Sequence, residues 1–353
     1  MTVSDAGVAD ATAHAPIEGA LVGFGGVAEH GHVPGFRRHR GFVIRSVAEP
    51  DAARRDRARE VLGPEVRVYP SLDALLRSES PHFVDVAAPP CTHAEAVASA
   101  IVARNHVLVE KPLATNLADA ERLLAAAQRA GVALVTAHNW HYAPAFRAAR
   151  RAVASGPIGT PRRIEFVTER HEPAGGPGSW RLDAAVAGGG ILVDHGWHQL
   201  YLAFSLLGAG PPRSVRARIA KRRFRNASAE DTAEALVHFG NGAEARLRLT
   251  WAAEERRTSL RLEGESGSLR VDGGRVLVRV GSGAESDWPV DPDEKDDSWH
   301  AAWFPPLLDL FAAAIAAPST AAPNRQEARA CQSVIDAAYR SAARGGEPVV
   351  IGG

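Results

Sequence analysis

The chain has 353 residues, with 41 basic and 41 acidic side chains and two cysteines. This length exceeds one typical hydrophobic core, so two domains are expected. The zero net charge excludes a strongly basic nucleic-acid-binding protein and gives no electrostatic attraction to an anionic membrane. Cys91 and Cys331 are too few for a disulfide framework, and they lack metal-ligand spacing.

The first 16 residues do not resemble a signal peptide, because they carry Asp5 and Asp10 but no basic residue and no apolar block. We expect them to form a disordered extension. No apolar run in the sequence approaches the roughly 18 residues needed to cross a bilayer. The sequence therefore predicts a soluble cytoplasmic protein that binds neither membranes nor nucleic acid.

Short apolar runs alternate with helical patterns through the first 140 residues. The predicted strands cover residues 20–22, 42–47, 83–87, 106–109 and 132–135. The predicted helices cover residues 51–62, 94–103 and 119–130, with a further helix starting at residues 70–76. Strands and helices that alternate with short connections are typical of βαβ units and a parallel sheet.

The apolar pattern changes to a period of two after about residue 160. Apolar and polar residues alternate within residues 213–221, 243–251 and 259–263. A Gly273-Gly274 turn joins two further runs, so we predict an antiparallel sheet with one apolar and one charged face. The charged face is either solvated or an interface, and we expect a homodimer or homotetramer formed through this sheet. Residues 326–344 are predicted to form an amphipathic helix, and the acidic run 291–297 a surface loop.

A glycine-rich turn follows the first strand and opens a helix. It consists of Gly23, Phe24, Gly25, Gly26, Val27 and Ala28. Small residues let the backbone approach a pyrophosphate, which then lies at a helix N-terminus. Glu49 lies just past the second strand, where a carboxylate accepts hydrogen bonds from a ribose and repels a 2′-phosphate. The turn predicts a dinucleotide site that favours NAD, while the nearby Arg54 and Arg55 leave NADP open. A purely structural turn beside a solvated glutamate is the alternative.

Lys111 stands out because the chain has only three lysines, the others being Lys221 and Lys295. It belongs to a Glu110-Lys111-Pro112 motif that ends the fourth strand, at the carboxyl edge where open α/β sheets bind ligands. Lysine can release a proton when its surroundings favour the neutral form, whereas arginine effectively cannot. A functional lysine is therefore favoured over a surface lysine.

A predicted helix over residues 194–208 follows three consecutive glycines, 188–190. Its apolar stripe is formed by Leu200, Ala203, Phe204 and Leu207. At about 100° per residue, Asp194 and His198 lie together on a face well away from that stripe. An aspartate one turn before a histidine is a candidate for general acid–base catalysis. A solvated or structural histidine is the alternative.

Together these motifs resemble the Gfo/Idh/MocA group, named for glucose–fructose oxidoreductase, inositol dehydrogenase and rhizopine catabolism. The resemblance covers about residues 17–351 and rests on three blocks: 23–28, 89–93 with 110–112, and 188–198. It implies an α/β protein with an N-terminal Rossmann dinucleotide-binding domain over residues 17–138. A C-terminal α+β domain would follow over residues 139–353, with a large, mostly antiparallel open sheet and the terminal helix.

The resemblance also implies roles for individual residues. The catalytic positions around the substrate carbon are matched by Lys111, Asp194 and His198. The loop on the nicotinamide side of the cleft is matched by Pro89 and His93. Glu110 joins the glycine turn, Glu49 and Lys111 among the predicted cofactor-binding residues.

The sequence departs from the usual family pattern at His195 and within residues 138–142. Histidines 138, 141, 195 and 198 can be read with Asp194 as a metal cluster, but no paired zinc-enzyme spacing supports this and we predict no metal. The predicted substrate contacts are Trp140, His141, Trp180, Arg181 and His195. Aromatic faces and guanidinium forks suit a polyhydroxylated ring. A packed Trp180 beside a solvated Arg181 is the alternative.

The sequence thus predicts an NAD(P)-dependent oxidoreductase that acts on a sugar, cyclitol or related polyol. His198 would exchange the hydroxyl proton, Lys111 would hold and polarise the oxygen, and Asp194 would orient both. Two other hypotheses remain open. One is a glycosidase or lyase that uses tightly held NAD for transient oxidation. The other is a non-catalytic NAD-binding sensor, against which the intact set of catalytic residues argues.

Overall fold

The computed structural model describes residues 15–292 and 299–352. The expected N-terminal extension lies outside these residues up to position 14, and the acidic run lies outside them from position 293. Within the described ranges, no helix has the length and apolar character that crossing a membrane requires.

The first domain is built on a six-stranded parallel sheet, as the alternating pattern predicts. Its strands are β1 (Ile17–Val22), β2 (Phe42–Ala48), β3 (Arg67–Tyr69), β4 (Phe83–Val86), β5 (His106–Val109) and β6 (Leu134–Thr136). The spatial order is β3-β2-β1-β4-β5-β6, so the strand order reverses between β1 and β4. Doubly wound sheets bind ligands at this reversal, outside the carboxyl ends of the strands. Only β3 has no predicted counterpart, because its three partly exposed residues give no periodic signal.

The helices of the first domain confirm the predicted alternation. They are α1 (Val33–Arg38), α2 (Ala52–Leu62), α3 (Leu72–Ser78), α4 (His93–Val102) and α5 (Leu117–Ala130). The Asn116 side chain accepts the Asp119 N–H at the start of α5, and Gly131 ends that helix at φ +67°. A π-helical turn, Ala28–His32, lies between the glycine turn and α1.

The second domain contains a nine-stranded sheet that is antiparallel except for one pair. Its strands are β7 (Pro161–Glu169), β8 (Pro212–Ala220), β9 (Thr232–Phe239), β10 (Glu244–Thr250), β11 (Arg257–Gly264), β12 (Gly267–Asp272), β13 (Arg275–Val280), β14 (Ser286–Trp288) and β15 (Val349–Val350). Their order is β14-β13-β12-β11-β7-β10-β9-β8-β15, and β7 pairs with β10 in parallel. In β10, Ala245 and Leu247 are buried whereas Arg246 and Arg248 are exposed, which confirms the predicted apolar and charged faces.

Five helices follow the first sheet in the chain, and α9 and α10 among them contact elements of the first domain. They are α6 (Pro144–Ala154), α7 (Ala184–Ala187), α8 (Trp197–Leu207), α9 (Pro305–Ala316) and α10 (Ala322–Ala343). Phe304, Leu307 and Phe311 pack in one apolar cluster with residues of the first sheet, such as Leu21. Helix α10 contacts β6 and α5 of the first domain as well as β8 of the second. The C-terminal part of the chain therefore completes the core of the first domain.

Helix α8 corresponds to the predicted helix over residues 194–208, but a π-helical turn, Leu192–Gly196, precedes it. The prediction of a single buried stripe with His198 facing away from it is wrong. Trp197 and Tyr201 are buried as fully as Leu200, and His198 is only 7% exposed. The physical reason is that α8 packs against β7, β10, α6 and α10, so neighbours surround it.

Candidate active site

A cavity lies at the carboxyl ends of β1 and β4, between the two domains. It contains about 990 Å³ of empty space, part of it open to solvent. The first domain contributes Gly23, Gly25, Gly26, Val27, Glu49, Arg54, Pro89, Glu110 and Lys111. The second domain contributes Trp180, Arg181, Gly189, Gly190, Val193, Asp194 and Trp299. The glycine turn, Lys111 and Asp194, which lie far apart in the sequence, therefore face one cavity.

The glycine turn fits the diphosphate of a dinucleotide. Gly23 has φ +86°, and a Cβ there would lie 2.9 Å from the Ala88 Cα, so only glycine suits the position. A Cβ at Gly25 would meet nothing within 4 Å, which leaves its backbone open to the cavity.

Glu49 supports the glycine turn as well as facing the cavity. Its side chain accepts the Phe24 N–H at 2.7 Å through Oε2 and the Asp51 N–H at 2.9 Å through Oε1. Arg55 donates to the main-chain oxygens of Glu49 and Pro50, whereas Arg54 lines the cavity. A carboxylate at this position favours NAD, and Arg54 is the cation left to meet a 2′-phosphate.

Lys111 and Asp194 form an ion pair on the cavity wall. The Lys111 Nζ donates to Asp194 Oδ1 at 2.9 Å and to the Asp194 main-chain oxygen at 2.8 Å. Burial opposes ionisation of Asp194, but the Lys111 ammonium, followed by His195 and Arg181, holds its pKa well below the ordinary value. A carboxylate therefore faces an ammonium at the point where the cavity meets the second domain.

The three consecutive glycines place Asp194 at the cavity. Glu230 accepts the Gly190 N–H at 2.9 Å and the Leu192 N–H at 3.0 Å, so its carboxylate caps the π-helical turn Leu192–Gly196. A Cβ at Gly190 would lie 1.8 Å from the Glu230 main-chain oxygen. The close approach of the two segments therefore requires glycine. π-helical turns inside helices are frequent at functional sites, and this one carries Asp194 and His195.

His198 is not one of the residues that line the cavity, and its side chain is 7% exposed. Its Nδ1 lies 2.8 Å from the Tyr201 hydroxyl, which also accepts the Trp140 N–H at 3.1 Å. Its ring stacks on Trp140 with centroids 4.6 Å apart. Burial, followed by the Lys111 charge, lowers the pKa of His198 well below the ordinary value. His198 is therefore hydrogen-bonded to Tyr201, whereas Asp194 is hydrogen-bonded to Lys111.

The second carboxylate oxygen of Asp194, Oδ2, lies near Arg181 and His195. Trp180 lies beside Arg181. The Arg181 Nε and the His195 Nε2 lie 3.7 and 3.8 Å from Asp194 Oδ2. The Arg181 guanidinium lies 4.4 Å from the centroid of the exposed Trp180 ring. In the described part of the chain, the buried Arg181 Nε and His195 Nδ1 have no hydrogen-bond partner. Burial lowers the pKa of His195 to about 4, so this ring is neutral at physiological pH.

His93 is fully buried behind the Pro89 loop. Its two ring nitrogens lie 2.8 Å from the Ala88 oxygen and 2.7 Å from the Pro112 oxygen. His93 therefore joins the end of β4 to the Glu110-Lys111-Pro112 turn, while Pro89 and Glu110 themselves line the cavity.

His138, His141 and Glu327 bring three potential metal ligands within 4.8 Å of one another. The Trp197 Nε1–H donates to His138 Nε2, and Arg150 donates to His141 Nδ1. These donors occupy the lone pair of one nitrogen in each ring, so the nitrogen that faces Glu327, 2.9 Å away in both pairs, carries a proton. A metal ion would instead need a lone pair on the nitrogen that faces Glu327, and the other ring nitrogen would then donate its proton to a hydrogen-bond acceptor.

The three residues therefore fit a hydrogen-bonded clamp between the two domains and do not fit a metal site. Burial opposes ionisation of Glu327, but hydrogen bonds from His138 and His141 lower its pKa to about 2. His141, predicted as a substrate contact, lies in this clamp and away from the cavity lining.

Trp299 is a cavity residue that the sequence motifs do not reveal. A Cβ at Gly26 would lie 2.8 Å from the Trp299 ring, which also lies against His30, so the indole covers the glycine turn. No spacing rule relates a tryptophan near the end of the chain to a turn near its start. The one available signal is the pair Trp299 and Trp303 in a chain of seven tryptophans.

Comparisons with known proteins find a family model that matches each of the two domains. Residues 17–138 match a family model described as an oxidoreductase family with an NAD-binding Rossmann fold. Residues 146–270 match the GFO/IDH/MocA C-terminal domain.

Individual relatives give the same result. D-apiose dehydrogenase of Paraburkholderia graminis is 31% identical over 262 residues, which are 72% of this chain and 67% of that enzyme. The 1,5-anhydro-D-fructose reductase of Ensifer adhaerens is 33% identical over 207 residues, which are 57% of this chain and 61% of the relative. The crystal structure of GenD2 from gentamicin A biosynthesis in complex with NAD is 27% identical, with a TM-score of 0.82 over 98% of this chain and 100% of that one.

Proposed function

The chain belongs to the Gfo/Idh/MocA oxidoreductase family, which has an NAD-binding Rossmann domain, and from this premise we propose its reaction. The enzyme transfers a hydride between the nicotinamide and a secondary alcohol or ketone of a sugar, cyclitol or related polyol. The observation that carries this proposal is the Lys111–Asp194 ion pair, which faces the same cavity as the glycine turn.

The protein supplies orientation and proton transfer. When bound, the nicotinamide ring accepts or donates the hydride. Lys111 Nζ donates a hydrogen bond to the substrate oxygen, polarises it, and shares with His198 the transfer of the hydroxyl proton. Asp194 keeps the lysine in place through its two acceptor atoms, 2.9 and 2.8 Å from Nζ. A cation at this oxygen stabilises the negative charge that develops on it during reduction of a ketone.

His198 takes the hydroxyl proton during oxidation and returns it during reduction. Burial keeps its imidazole neutral at physiological pH. When Nδ1–H donates to the Tyr201 oxygen, the lone pair lies on Nε2 and is left for the substrate. The nearby Asp194 carboxylate favours the imidazolium that then forms.

The second domain supplies groups suited to a polyhydroxylated ring. Arg181 lines the cavity, where its guanidinium can donate hydrogen bonds to substrate hydroxyls. Trp180 offers an aromatic face, and Trp140 keeps His198 in place by stacking. The sugar-derived names of the two relatives support the same substrate class.

The test is a panel of sugars, cyclitols and their keto forms with NAD⁺, NADP⁺ and the reduced cofactors. NAD(P)H absorbance and product analysis are followed in the same samples. We expect net NADH formation or consumption with at least one member, and a preference for NAD over NADP. NAD that copurifies and promotes product formation without net NADH would instead indicate transient oxidation. Dinucleotide binding without turnover of any member would indicate a sensor.

We further propose that the charged face of the nine-stranded sheet joins copies of the chain into a homodimer or homotetramer. The broad sheet exposes alternating arginine and glutamate side chains, such as Arg246, Arg248 and Glu234. Light scattering that shows only monomer at working concentration would contradict this assembly.

A further inference from the structure

His32 lies behind Glu110 in a buried cluster with two carboxylates. Its side chain is 2% exposed, and its Nδ1 is 2.7 Å from Oδ2 of the fully buried Asp85 in β4. Its Nε2 is 3.1 Å from Glu110 Oε1. Because both ring nitrogens face carboxylate oxygens, and an ionised carboxylate only accepts hydrogen bonds, each nitrogen carries a proton. His32 is therefore an imidazolium held between two carboxylates.

The charges in this cluster depend on one another. Burial disfavours a charged His32, but Asp85 and then Glu110 more than offset it and raise the pKa of His32 to about 10. Burial also opposes ionisation of Glu110, but His32, followed by Lys111 and His93, lowers the Glu110 pKa. Burial raises the pKa of Asp85, which His32 opposes and the like charge of Glu110 reinforces. His32 is thus the main reason that Glu110 is ionised.

Glu110 connects this cluster to the active-site lysine. Its Oε1 faces His32, and its Oε2 accepts the main-chain N–H of Lys111 at 3.0 Å. The side chain of Lys111 then reaches Asp194 on the opposite wall. An unbroken series of contacts therefore runs from Asp85 through His32 and Glu110 to the ion pair.

The π-helical turn Ala28–His32 brings His32 to this position. Five residues per hydrogen-bonded turn, instead of four, add one residue directly after the glycine turn. His32 is buried against the sheet, whereas His30 in the same turn is exposed and lies against Trp299. The Phe304 ring, 4.4 Å from His32, closes the cluster from the C-terminal part of the chain.

We propose that His32 is a positioning residue of the active site. By holding the Glu110 carboxylate, it fixes the main chain at Lys111 and hence the place of Lys111 Nζ opposite Asp194. This proposal rests on the proposed function, in which Nζ contacts the substrate oxygen. A displacement of about 1 Å at a reacting group costs on the order of 100-fold in rate. His32 therefore controls turnover although it touches neither the substrate nor the cavity.

The first test compares His32→Gln with His82→Gln. Glutamine removes the charge and one hydrogen bond, and His82 is an exposed histidine that precedes β4 in the same domain. We expect His32→Gln to lower kcat by about tenfold or more, with NADH affinity within about threefold of the wild type, because Lys111 is displaced while the glycine turn is kept. His82→Gln keeps both parameters. Unchanged kcat in His32→Gln, or a parallel loss of turnover and NADH affinity, would overturn the proposal.

The pH profile and a double variant separate positioning from general stability. Without His32, burial raises the Glu110 pKa, so the acid limb of kcat moves to higher pH by about one unit. In a Glu110→Gln background, His32→Gln has little further effect on kcat, since its route to Lys111 is already absent. A uniform loss at all pH values, or full additivity of the two substitutions, would contradict the proposal. If His32→Gln does not fold, Asp85→Asn replaces it as the test variant. Removing the Asp85 charge lowers the His32 pKa, so we expect kcat to decline on the alkaline side from a pH below 10.

A substrate-free measurement keeps the proposal separate from the proposed function. Reductive methylation of each lysine is followed by mass spectrometry, with the exposed Lys221 as internal reference. We expect Lys111 in His32→Gln to be methylated about threefold faster or more than in the wild type, because its ion pair is loosened. Faster methylation together with an inactive wild type on the whole panel would refute the proposed function but support positioning by His32. Unchanged methylation of Lys111 would overturn the positioning role.

Discussion

Replacing Lys111 by arginine tests whether the lysine exchanges a proton or only supplies charge. Lys111 Nζ donates to Asp194 Oδ1 and to the Asp194 main-chain oxygen, at 2.9 and 2.8 Å. An arginine can satisfy both acceptors with its fork and keeps the positive charge, so Asp194 stays ionised. The guanidinium does not give up its proton at physiological pH. The two properties of the lysine are thereby separated at one position.

We expect Lys111→Arg to bind NADH within about threefold of the wild type and to lose about 10²- to 10⁴-fold in kcat, the range for loss of an acid–base group. Lys111→Met is the stricter variant, because it leaves the Asp194 carboxylate with only Arg181 and His195, 3.7 and 3.8 Å away. Lys221→Arg is the matched control, since Lys221 Nζ donates to the Ala227 oxygen at an exposed site. Its kinetics should equal those of the wild type.

The assay is steady-state turnover with the substrate found in the panel, together with NADH titration by fluorescence. Near-normal turnover in Lys111→Arg would refute proton exchange by the lysine and leave it a purely electrostatic role. Loss of NADH binding in the same variant would show that Lys111 contributes mainly to the cofactor site.

Three further predictions concern substrate binding, the hydrogen-bonded clamp at Glu327, and the three consecutive glycines, 188–190, before α8. Arg181→Ala should raise KM more than it lowers kcat, because ground-state and transition-state binding are lost equally, and an intact KM with a collapsed kcat would place Arg181 in the chemistry. Glu327→Gln should lower the free energy of unfolding at pH 7 by about 2 kcal/mol in urea titrations. Since the folded pKa of Glu327 is about 2 against an ordinary 4.5, this difference is present above pH 4.5 and disappears as the pH falls towards 2. An equal loss at all pH values would contradict the clamp. Gly190→Ala should prevent stable folding or abolish turnover, because its Cβ would lie 1.8 Å from the Glu230 oxygen, and a folded, active variant seen by circular dichroism and kinetics would contradict that packing.

The fold could be predicted wherever one segment carries its own signal. Five of the six strands of the first sheet show apolar runs, several strands of the second sheet show period-two alternation, and α5 has its capping residues Asn116 and Gly131 in the sequence. The prediction failed for α8, because a helix surrounded by other elements has no exposed face to define a stripe. Periodicity reports one buried face, and it cannot identify a helix that is buried on all sides.

Of the candidate site, the motifs with local chemistry could be predicted and the supporting contacts could not. The glycine turn, Lys111 and Asp194 are recognisable from short motifs, and the structure brings them to one cavity. Glu230 supports Gly190 from 40 residues away, and His32 reaches Glu110 across 78 residues. Such contacts depend on which elements become neighbours in the fold, and no residue spacing encodes that.

The most direct test of the proposed reaction follows deuterium from the substrate carbon to the nicotinamide. The substrate found in the panel is labelled with deuterium at the carbon bearing the reacting hydroxyl, and NADH and product are analysed by mass spectrometry. Hydride transfer predicts one deuterium in the NADH and none at that carbon of the ketone, with the transfer slowed in Lys111→Arg but not in Lys221→Arg. Deuterium that stays in the sugar product, or that is lost to solvent while NADH remains unlabelled, would contradict a dehydrogenase mechanism.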